Sequence, residues 1–249
     1  MQKKPVSQNQ PQSSSAWQNN IKQEERRQLV KKAVIWGGII IACVAVVAVL
    51  VKLAGTSGGP GSAPVVNEKL PPVSGKDIIL GNPEAKVAVI EYSDFQCPAC
   101  ASYNPMVNAL LSEYDGKVKL AYRFFPLRGI HKNGVISGRA GYAAWKLGKF
   151  SEMKDMLFDN QADWENSTDP EKVFGEYAKS LDLNVDEFNK IMNSKEAEEA
   201  VVAGETEAMS LGLNSTPTFF IGNKQVSPRT VDDFKKLIDA ELESQKPLQ

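Results

Sequence analysis

The chain has 249 residues, of which 42% are hydrophobic and 24% are charged, a composition that fits one or two globular domains. The formal net charge is −1, but residues 1–32 carry +5 and the remainder carries −6. Lysine and arginine form no stripe with interleaved aromatic residues, so we expect no nucleic-acid partner.

The N-terminal part of the chain predicts a membrane anchor. Residues 1–32 begin with a tract rich in Gln, Asn and Ser and are predicted to form a disordered tail. Residues 33–51 contain no charged side chain, and such a run can cross a bilayer core of about 30 Å. A buried core helix would show a polar face, and a cleaved signal peptide would have a shorter apolar run. We therefore predict one uncleaved transmembrane helix over residues 33–53.

Charges beside this segment predict its orientation. A basic cluster lies within residues 22–32, whereas Lys52 is the basic residue close behind the segment. The positive-inside rule places the N-terminus in the cytoplasm and the rest of the chain outside it. Residues 54–73, rich in Gly, Ser and Pro, are predicted to be a flexible linker. Residues 74–249 have the length of one domain.

This domain is predicted to begin with a strand, a helix and a second strand. Residues 86–95 (KVAVIEYSDF) open with a β-branched, apolar run that predicts a buried strand. Helical spacing follows over residues 101–114, and we expect a kink at Pro105. Residues 117–127 predict the second strand. A strand, helix, strand order implies a parallel pair of strands.

A helical block is predicted from about residue 133 to residue 212. Asp169 before Pro170 indicates a helix start, and further starts are expected near Asn184 and Ser194. Strand character then returns, with a hairpin turn at Gly222-Asn223, and a last helix is expected from about residue 230 to residue 242.

Two cysteines form a Cys-Pro-Ala-Cys motif between the first strand and its helix. A structural zinc site needs four ligands, and beyond Cys97 and Cys100 the chain offers Cys43, inside the predicted membrane segment, and His131. A disulfide that closes so short a loop restrains little chain entropy. A redox-active dithiol is therefore favoured, and we expect no metal and no cofactor.

The position of the motif predicts a nucleophile. Pro98 suits the first helical position, so Cys97 lies at the helix N-terminus, where free N–H groups and the helix dipole lower the pKa of a thiol. Cys100 lies within the first turn, close enough to attack a mixed disulfide at Cys97.

Three segments together resemble a known family. Residues 79–100 (ILGNPEAKVAVIEYSDFQCPAC), the long helical block and residues 215–222 (STPTFFIG) are similar to the thioredoxin superfamily. Within it they resemble the DsbA-like thiol:disulfide oxidoreductases of bacterial envelopes. The resemblance covers about residue 77 to the final helix. It implies an α/β, thioredoxin-like fold with βαβ and ββα halves and the helical block inserted between them.

The resemblance also implies substrate-binding residues. Pro217 is expected to be a cis proline that, with Thr216, faces the dithiol and pairs with a substrate backbone as an added strand. A simple strand-edge proline is the alternative. Pro98, Ala99 and Phe95 are expected to contact substrate. Ala99 stands where DsbA has histidine, which leaves the oxidising power of the dithiol open.

Glu91 is expected to be a buried acid that moves protons for Cys100. An unpaired carboxylate in an apolar strand would have a raised pKa, although a strand-edge Glu facing water is the alternative. Arg123 is a candidate cationic partner of Glu91. Asp94 is expected to be exposed, and His131 is expected to be a surface or helix-cap residue.

These features predict a membrane-tethered, extracytoplasmic enzyme that forms disulfide bonds in exported proteins. Its expected partners are exported proteins with free thiols, an integral-membrane redox protein that recycles the dithiol, and the membrane itself through one helix. A reductase or isomerase of the same fold is one alternative. A tethered chaperone or binding module with an incidental dithiol is another.

Overall fold

A mixed six-stranded sheet lies at the centre of residues 65–245, the part of the chain that the computed structural model describes. The strands are β1 (Val65–Val66), β2 (Ile78–Gly81), β3 (Val87–Ser93), β4 (Val118–Phe124), β5 (Thr218–Ile221) and β6 (Lys224–Val226). They lie in the order β1-β6-β5-β3-β4-β2. The helices are α1 (Pro98–Glu113), α2 (Gly134–Lys146), α3 (Phe150–Asp159), α4 (Gln161–Trp164), α5 (Pro170–Ser180), α6 (Val185–Met192), α7 (Lys195–Ser210) and α8 (Val231–Ser244).

Strands β3 and β4 are parallel neighbours joined by α1, which confirms the predicted strand, helix, strand unit. Their register runs from Val87 opposite Val118 to Ser93 opposite Phe124. Almost every residue of β3 is buried, because the strand lies between β4 and β5 and both faces of the sheet are covered. Pro105 lies inside α1 without ending the helix.

Helices α2 to α7 fill the predicted helical block. Helix α5 starts at Pro170, directly after Asp169, and α6 and α7 are capped by the side chains of Asn184 and Ser194. Large apolar side chains of the block share one core with the two cysteines and with the sheet; this core includes Phe124, Phe150, Trp164, Phe174 and Phe188. The block therefore packs beside the dithiol.

The described residues end with a hairpin and a helix, as predicted. Strands β5 and β6 are antiparallel and turn at Gly222, whose φ of +63° lies in the left-handed region that favours glycine. Helix α8 begins after Thr230, which forms a capping box with Asp233. Phe234 and Ile238 of α8 then pack on the sheet in a second apolar cluster.

The folded part begins earlier than the predicted boundary at residue 74. Strand β1 (Val65–Val66) pairs with β6, and Leu70 and Val73 pack against the core. Two carbonyl groups of the same segment accept hydrogen bonds from Arg123. Residues 65–73 therefore belong to the domain, which corrects their assignment to the flexible linker. Gly, Ser and Pro content predicted the linker, and composition does not detect a two-residue strand.

The predicted tail, the predicted membrane helix over residues 33–53 and residues 54–64 of the predicted linker lie outside the described residues. Cys43 lies outside them as well. Within residues 65–245, no helix combines the length and the apolar character needed to cross a membrane.

Candidate active site

The two cysteines of the motif flank the first turn of α1. Cys97 is the N-cap residue and Pro98 occupies the first helical position. Cys100 is 0% exposed and Cys97 is 7% exposed, whereas Pro98 and Ala99 between them are exposed. The first cysteine thus keeps a small exposed area beside two exposed residues, and the second is fully buried.

Cys97 is surrounded by donors that stabilise its thiolate. Its pKa is lowered to about 5, chiefly because the Cys100 thiol donates a hydrogen bond to its sulfur. Burial opposes this effect, while the Thr216 side chain and the backbone N–H groups of Cys100 and Ala99 add to it. In the thiol form, Cys97 Sγ donates to the Thr216 carbonyl oxygen at 3.3 Å. The predicted lowering of the Cys97 pKa is therefore confirmed.

Cys100 has the opposite electrostatic environment. Burial raises the pKa of Cys100 well above its ordinary value, and the negative charges of Cys97 and Glu91 raise it further. The reduced pair therefore holds one thiolate, at the surface, and one neutral thiol, below it. This asymmetry suits disulfide exchange, in which one sulfur meets the substrate and the other sulfur leaves or attacks internally.

The Thr216–Pro217 peptide bond is cis, as the resemblance implies. Thr216 contacts Cys97 although 119 positions separate the two residues in the chain. The Thr216 hydroxyl oxygen is buried, and it makes no hydrogen bond of normal geometry within residues 65–245, so its proton can turn toward the Cys97 thiolate and lower the pKa of that thiol. Thr216 thus contacts the candidate nucleophile directly.

Glu91 is buried in β3 on the dithiol side of the sheet and is 4% exposed. Burial raises its pKa to about 7, and the negative charge of Cys97 adds to this. The Ser93 hydroxyl and the positive charge of Lys154 oppose the shift. The expectation of a buried acid is confirmed, and the water-facing alternative is wrong. A carboxyl group with a pKa near 7 can both give and take protons at neutral pH.

The positive charge near Glu91 belongs to Lys154, so the prediction of Arg123 as its partner is wrong. Glu91 is opposite Tyr122 in the register of β3 and β4. Because successive side chains of a strand point to opposite faces, Arg123 lies on the other face of the sheet. There Arg123 Nε pairs with Asp77 Oδ1 at 2.6 Å.

Lys154 belongs to a polar cluster between α1 and α3, and it is 1% exposed. Its Nζ atom donates to the side-chain oxygens of Asn104, Asn108 and Asp155. The amide nitrogens of Asn104 and Asn108 in turn donate to Asp155 at 2.8 and 2.9 Å. The helix that carries the cysteines is therefore attached to the helical block through a buried charge.

The loop before Cys97 is held by Asp94, which is buried rather than exposed as predicted. Its carboxylate accepts hydrogen bonds from the backbone N–H groups of Gln96 and Leu127. It also lies 2.7 Å from Nδ1 of His131, a residue whose side chain is 13% exposed. Asp94 is buried because it supplies the acceptors that two neighbouring loops need.

Phe95 is 1% exposed, so the expectation that it contacts substrate is wrong. Its ring stacks on Tyr122 with centroids 5.4 Å apart and packs against Phe158 at 5.0 Å. Its backbone carbonyl accepts a hydrogen bond from Gln161 Nε2 at 2.6 Å, and the same nitrogen donates to the Cys97 carbonyl at 3.1 Å. Phe95 thus anchors the loop in the core of the domain.

Sequence reasoning missed Lys154 and Gln161. Helix α3 carries an apolar stripe at helical spacing, formed by Phe150, Met153, Leu157 and Phe158. Lys154 lies on that stripe, and a lysine among apolar positions is a signal of a buried charge that needs partners. Gln161 begins a helix of four residues, and its type and position carry no comparable signal.

Comparisons with known proteins place these residues in a family. The model of the thioredoxin family Thioredoxin_4 matches residues 73–240. A probable disulfide bond formation protein D of Bacillus cereus is 31% identical over 170 residues, which cover 66% of this chain and 77% of that protein. A Na(+)/H(+) antiporter, NhaA 1 of Salinispora arenicola, is 30% identical over 161 residues. The chain spans 24% of the length of that antiporter.

Solved structures show the same fold. BdbD from Bacillus subtilis in its oxidised form has a TM-score of 0.60 and 22% identity, covering 68% of this chain and 94% of that chain. Wolbachia pipientis alpha-DsbA1 has a TM-score of 0.62 and 24% identity, covering 72% of this chain and 97% of that chain. The thioredoxin-like organisation predicted from the sequence is thereby confirmed.

Proposed function

Because the chain belongs to the DsbA-like thiol:disulfide oxidoreductases of the thioredoxin family, we propose that it forms disulfide bonds in exported proteins through Cys97 and Cys100. The observation that carries the proposal is the placement of the two sulfurs: Cys97 lies at the N-terminus of α1 against Thr216, which lowers its pKa, and Cys100 is fully buried, which raises its pKa. A thiolate that is stable in the reduced protein makes the disulfide a better oxidant, since it favours the reduced state.

The proposed reaction has two exchange steps. A substrate thiolate attacks Cys97 Sγ of the oxidised pair, the bond between Cys97 and Cys100 breaks, and the electron pair stays on Cys100. The Glu91 carboxyl group gives its proton to that sulfur, because a buried Cys100 thiolate is costly. A second substrate thiolate then attacks the substrate sulfur of the mixed disulfide, and Cys97 leaves as a stable thiolate.

The substrate is proposed to lie across the exposed Pro98 and Ala99 and to pair with the backbone at Thr216 and Pro217. Support comes from the position of Thr216 against Cys97 and from the exposure of the two residues between the cysteines. An extended segment can add to such a backbone edge through main-chain hydrogen bonds.

We further propose that the domain is tethered by the predicted helix over residues 33–53 and works outside the cytoplasm. An integral-membrane redox partner would then reoxidise the dithiol. The uncharged run of residues and its basic N-terminal flank support this topology. Protease added to spheroplasts should digest residues 65–245, and a fully protected domain would contradict the localisation.

The reduction potential of the Cys97–Cys100 pair tests the proposed direction of exchange. Equilibration of the full chain with glutathione should give a potential clearly above the ~−270 mV of thioredoxin and no higher than the ~−120 mV of DsbA. Cys97→Ser should abolish exchange and serves as the control. A potential at or below that of thioredoxin would assign the chain to disulfide reduction instead.

A further inference from the structure

Two hydroxyl groups next to Glu91 are buried and have no hydrogen bond. Glu91 and Ser93 are two residues apart in β3 and therefore point to the same face of the sheet. Tyr122 is the direct neighbour of Glu91 on β4, on that same face. Within residues 65–245, neither Ser93 Oγ nor Tyr122 Oη has a hydrogen-bond partner of normal geometry. Buried polar atoms almost always have partners, so these two need an explanation.

Packing alone does not explain the Tyr122 hydroxyl. The ring is 1% exposed and lies among Phe95, Phe124 and Phe150, with the Phe150 centroid 5.1 Å away. A phenylalanine would fill this volume without the cost of a buried polar atom. The hydroxyl therefore has a role other than filling space.

Ser93 lies between the two neighbours. Its hydroxyl makes no hydrogen bond of normal geometry to either, but it is near enough to lower the pKa values of both the Glu91 carboxyl group and the Tyr122 hydroxyl. A serine hydroxyl has one donor and two lone pairs, so it can accept from tyrosine while it donates to a carboxylate. We propose that Tyr122 and Ser93 are positioning residues, which form a chain of hydrogen-bond donors to Glu91 and stabilise its carboxylate after it protonates Cys100.

This inference rests on the proposed function. The two donors act in the step in which Glu91 protonates Cys100. When substrate breaks the Cys97–Cys100 bond, the proton of Glu91 moves to the Cys100 sulfur and Glu91 becomes charged. Ser93 then donates to Glu91, and Tyr122 donates to Ser93. Burial raises the pKa of Tyr122 well above its ordinary value, so the phenol stays protonated and remains a donor.

Other charges face the same group and set the baseline of its titration. Lys154 from α3 lowers the pKa of Glu91, and the Cys97 thiolate from α1 raises it. Cys100 interacts with both Glu91 and Tyr122, and Asp94 interacts with Tyr122. None of these groups is changed by the substitutions below.

The test is the pH dependence of the reaction of the oxidised full chain with dithiothreitol, expressed per dithiothreitol thiolate. For the wild-type chain, this rate constant should fall above the pH at which Glu91 loses its proton, which we call the break. Burial holds the pKa of Glu91 above its ordinary value, and because the oxidised pair carries no Cys97 thiolate, the break should lie at or below the value of about 7 in the reduced chain. Ser93→Ala removes the direct donor and should move the break upward by about one pH unit, as expected for a hydrogen bond to a charged group. Tyr122→Phe should move it by a smaller amount, because it acts through Ser93.

Matched variants distinguish an effect on the Glu91 pKa from the effect that removal of any buried hydroxyl would have. Tyr177 in α5 also carries a buried hydroxyl without a partner, so Tyr177→Phe should leave the break unchanged. The double variant Ser93→Ala/Tyr122→Phe should shift no further than Ser93→Ala alone, since the two hydroxyls act in series. Glu91→Gln should abolish the break.

An unshifted break in Ser93→Ala would overturn the inference, and that variant decides the question even if Tyr122→Phe does not fold. Shifts that add in the double variant would overturn the arrangement in series. Failure of the proposed function has a different signature. The wild-type potential would then lie at or below that of thioredoxin, while the breaks would still shift in the same order.

Discussion

Removal of the Cys100 thiol should raise the pKa of Cys97, because that thiol is the largest cause of its lowering. A hydrogen bond to a charged group contributes about 1.5–3 kcal/mol, and one pKa unit corresponds to about 1.4 kcal/mol. Cys100→Ala should therefore raise the Cys97 pKa from about 5 by about one to two units. Cys100→Ser retains a donor of similar size and should stay closer to the value of the reduced wild-type chain.

The assay is the ultraviolet absorbance of the thiolate, followed against pH in the reduced full chain. Each variant has one titrating sulfur in the motif, so its titration reports Cys97 without coupling to a second thiol. The comparison of the Ala and Ser variants isolates the donor, since both lack Cys100. Equal Cys97 pKa values in the two variants would refute the reasoning, because the donor would then contribute nothing.

The same pKa sets part of the expected potential. At pH 7, a Cys97 pKa of about 5 stabilises the reduced state by roughly 3 kcal/mol relative to an undissociated thiol, whereas a thiol with the ~7 of thioredoxin gains less than about 1 kcal/mol in the same way. The potential should therefore lie tens of millivolts above that of thioredoxin, since ~30 mV equals ~1.4 kcal/mol for a two-electron couple.

Three further outcomes are expected. Glu91→Gln should raise the free energy of unfolding by up to about 3 kcal/mol at pH 8 and should change it little at pH 4. The pKa of Glu91 is about 7 in the folded chain and lower in the unfolded chain, so the wild-type chain loses stability as the pH rises from the unfolded pKa to the folded pKa, and glutamine does not titrate. Thr216→Val removes the hydroxyl that helps to lower the Cys97 pKa, and it should raise that pKa by up to about one unit in the absorbance titration. Gly141→Ala places a Cβ 2.6 Å from the Phe95 ring and should lower stability by about 1–3 kcal/mol in denaturant unfolding, whereas Gly175→Ala meets ordinary contacts and should not.

Elements with strong local signals were predicted well from the sequence. The helix starts after Asn184 and Ser194 follow from side-chain capping, and the start after Asp169 follows from Pro170 at the first helical position; both signals lie within a few residues of the sequence. The cysteine motif was equally readable, because helix position and thiol chemistry are local. Strand β2 was not predicted, since it is short and its pairing with β4 at the sheet edge is not visible in its own four residues.

The site was predicted less completely, because its partners come from distant parts of the chain. Asp94 was expected to be exposed since its charge is visible in the sequence, whereas the backbone donors that bury it come from other loops. The error on Arg123 came from the register of the two strands. Alternation places Tyr122 and Arg123 on opposite faces of the sheet, but the pairing of Glu91 with Tyr122, which puts Arg123 on the face away from Glu91, is a long-range feature that the strand sequences do not contain.

The helical block contributes directly to the chemistry of the dithiol. Ala99 lacks the histidine side chain of DsbA, and it acts on Cys97 through its backbone N–H, which any residue except proline would supply. Lys154 of the block lowers the pKa of Glu91, and the charge of Glu91 raises that of Cys100. Gln161 of the block binds the carbonyl of Cys97 itself. Ala99 therefore does not set the oxidising power of the dithiol alone, and substitutions in the block should change that power while the motif stays intact.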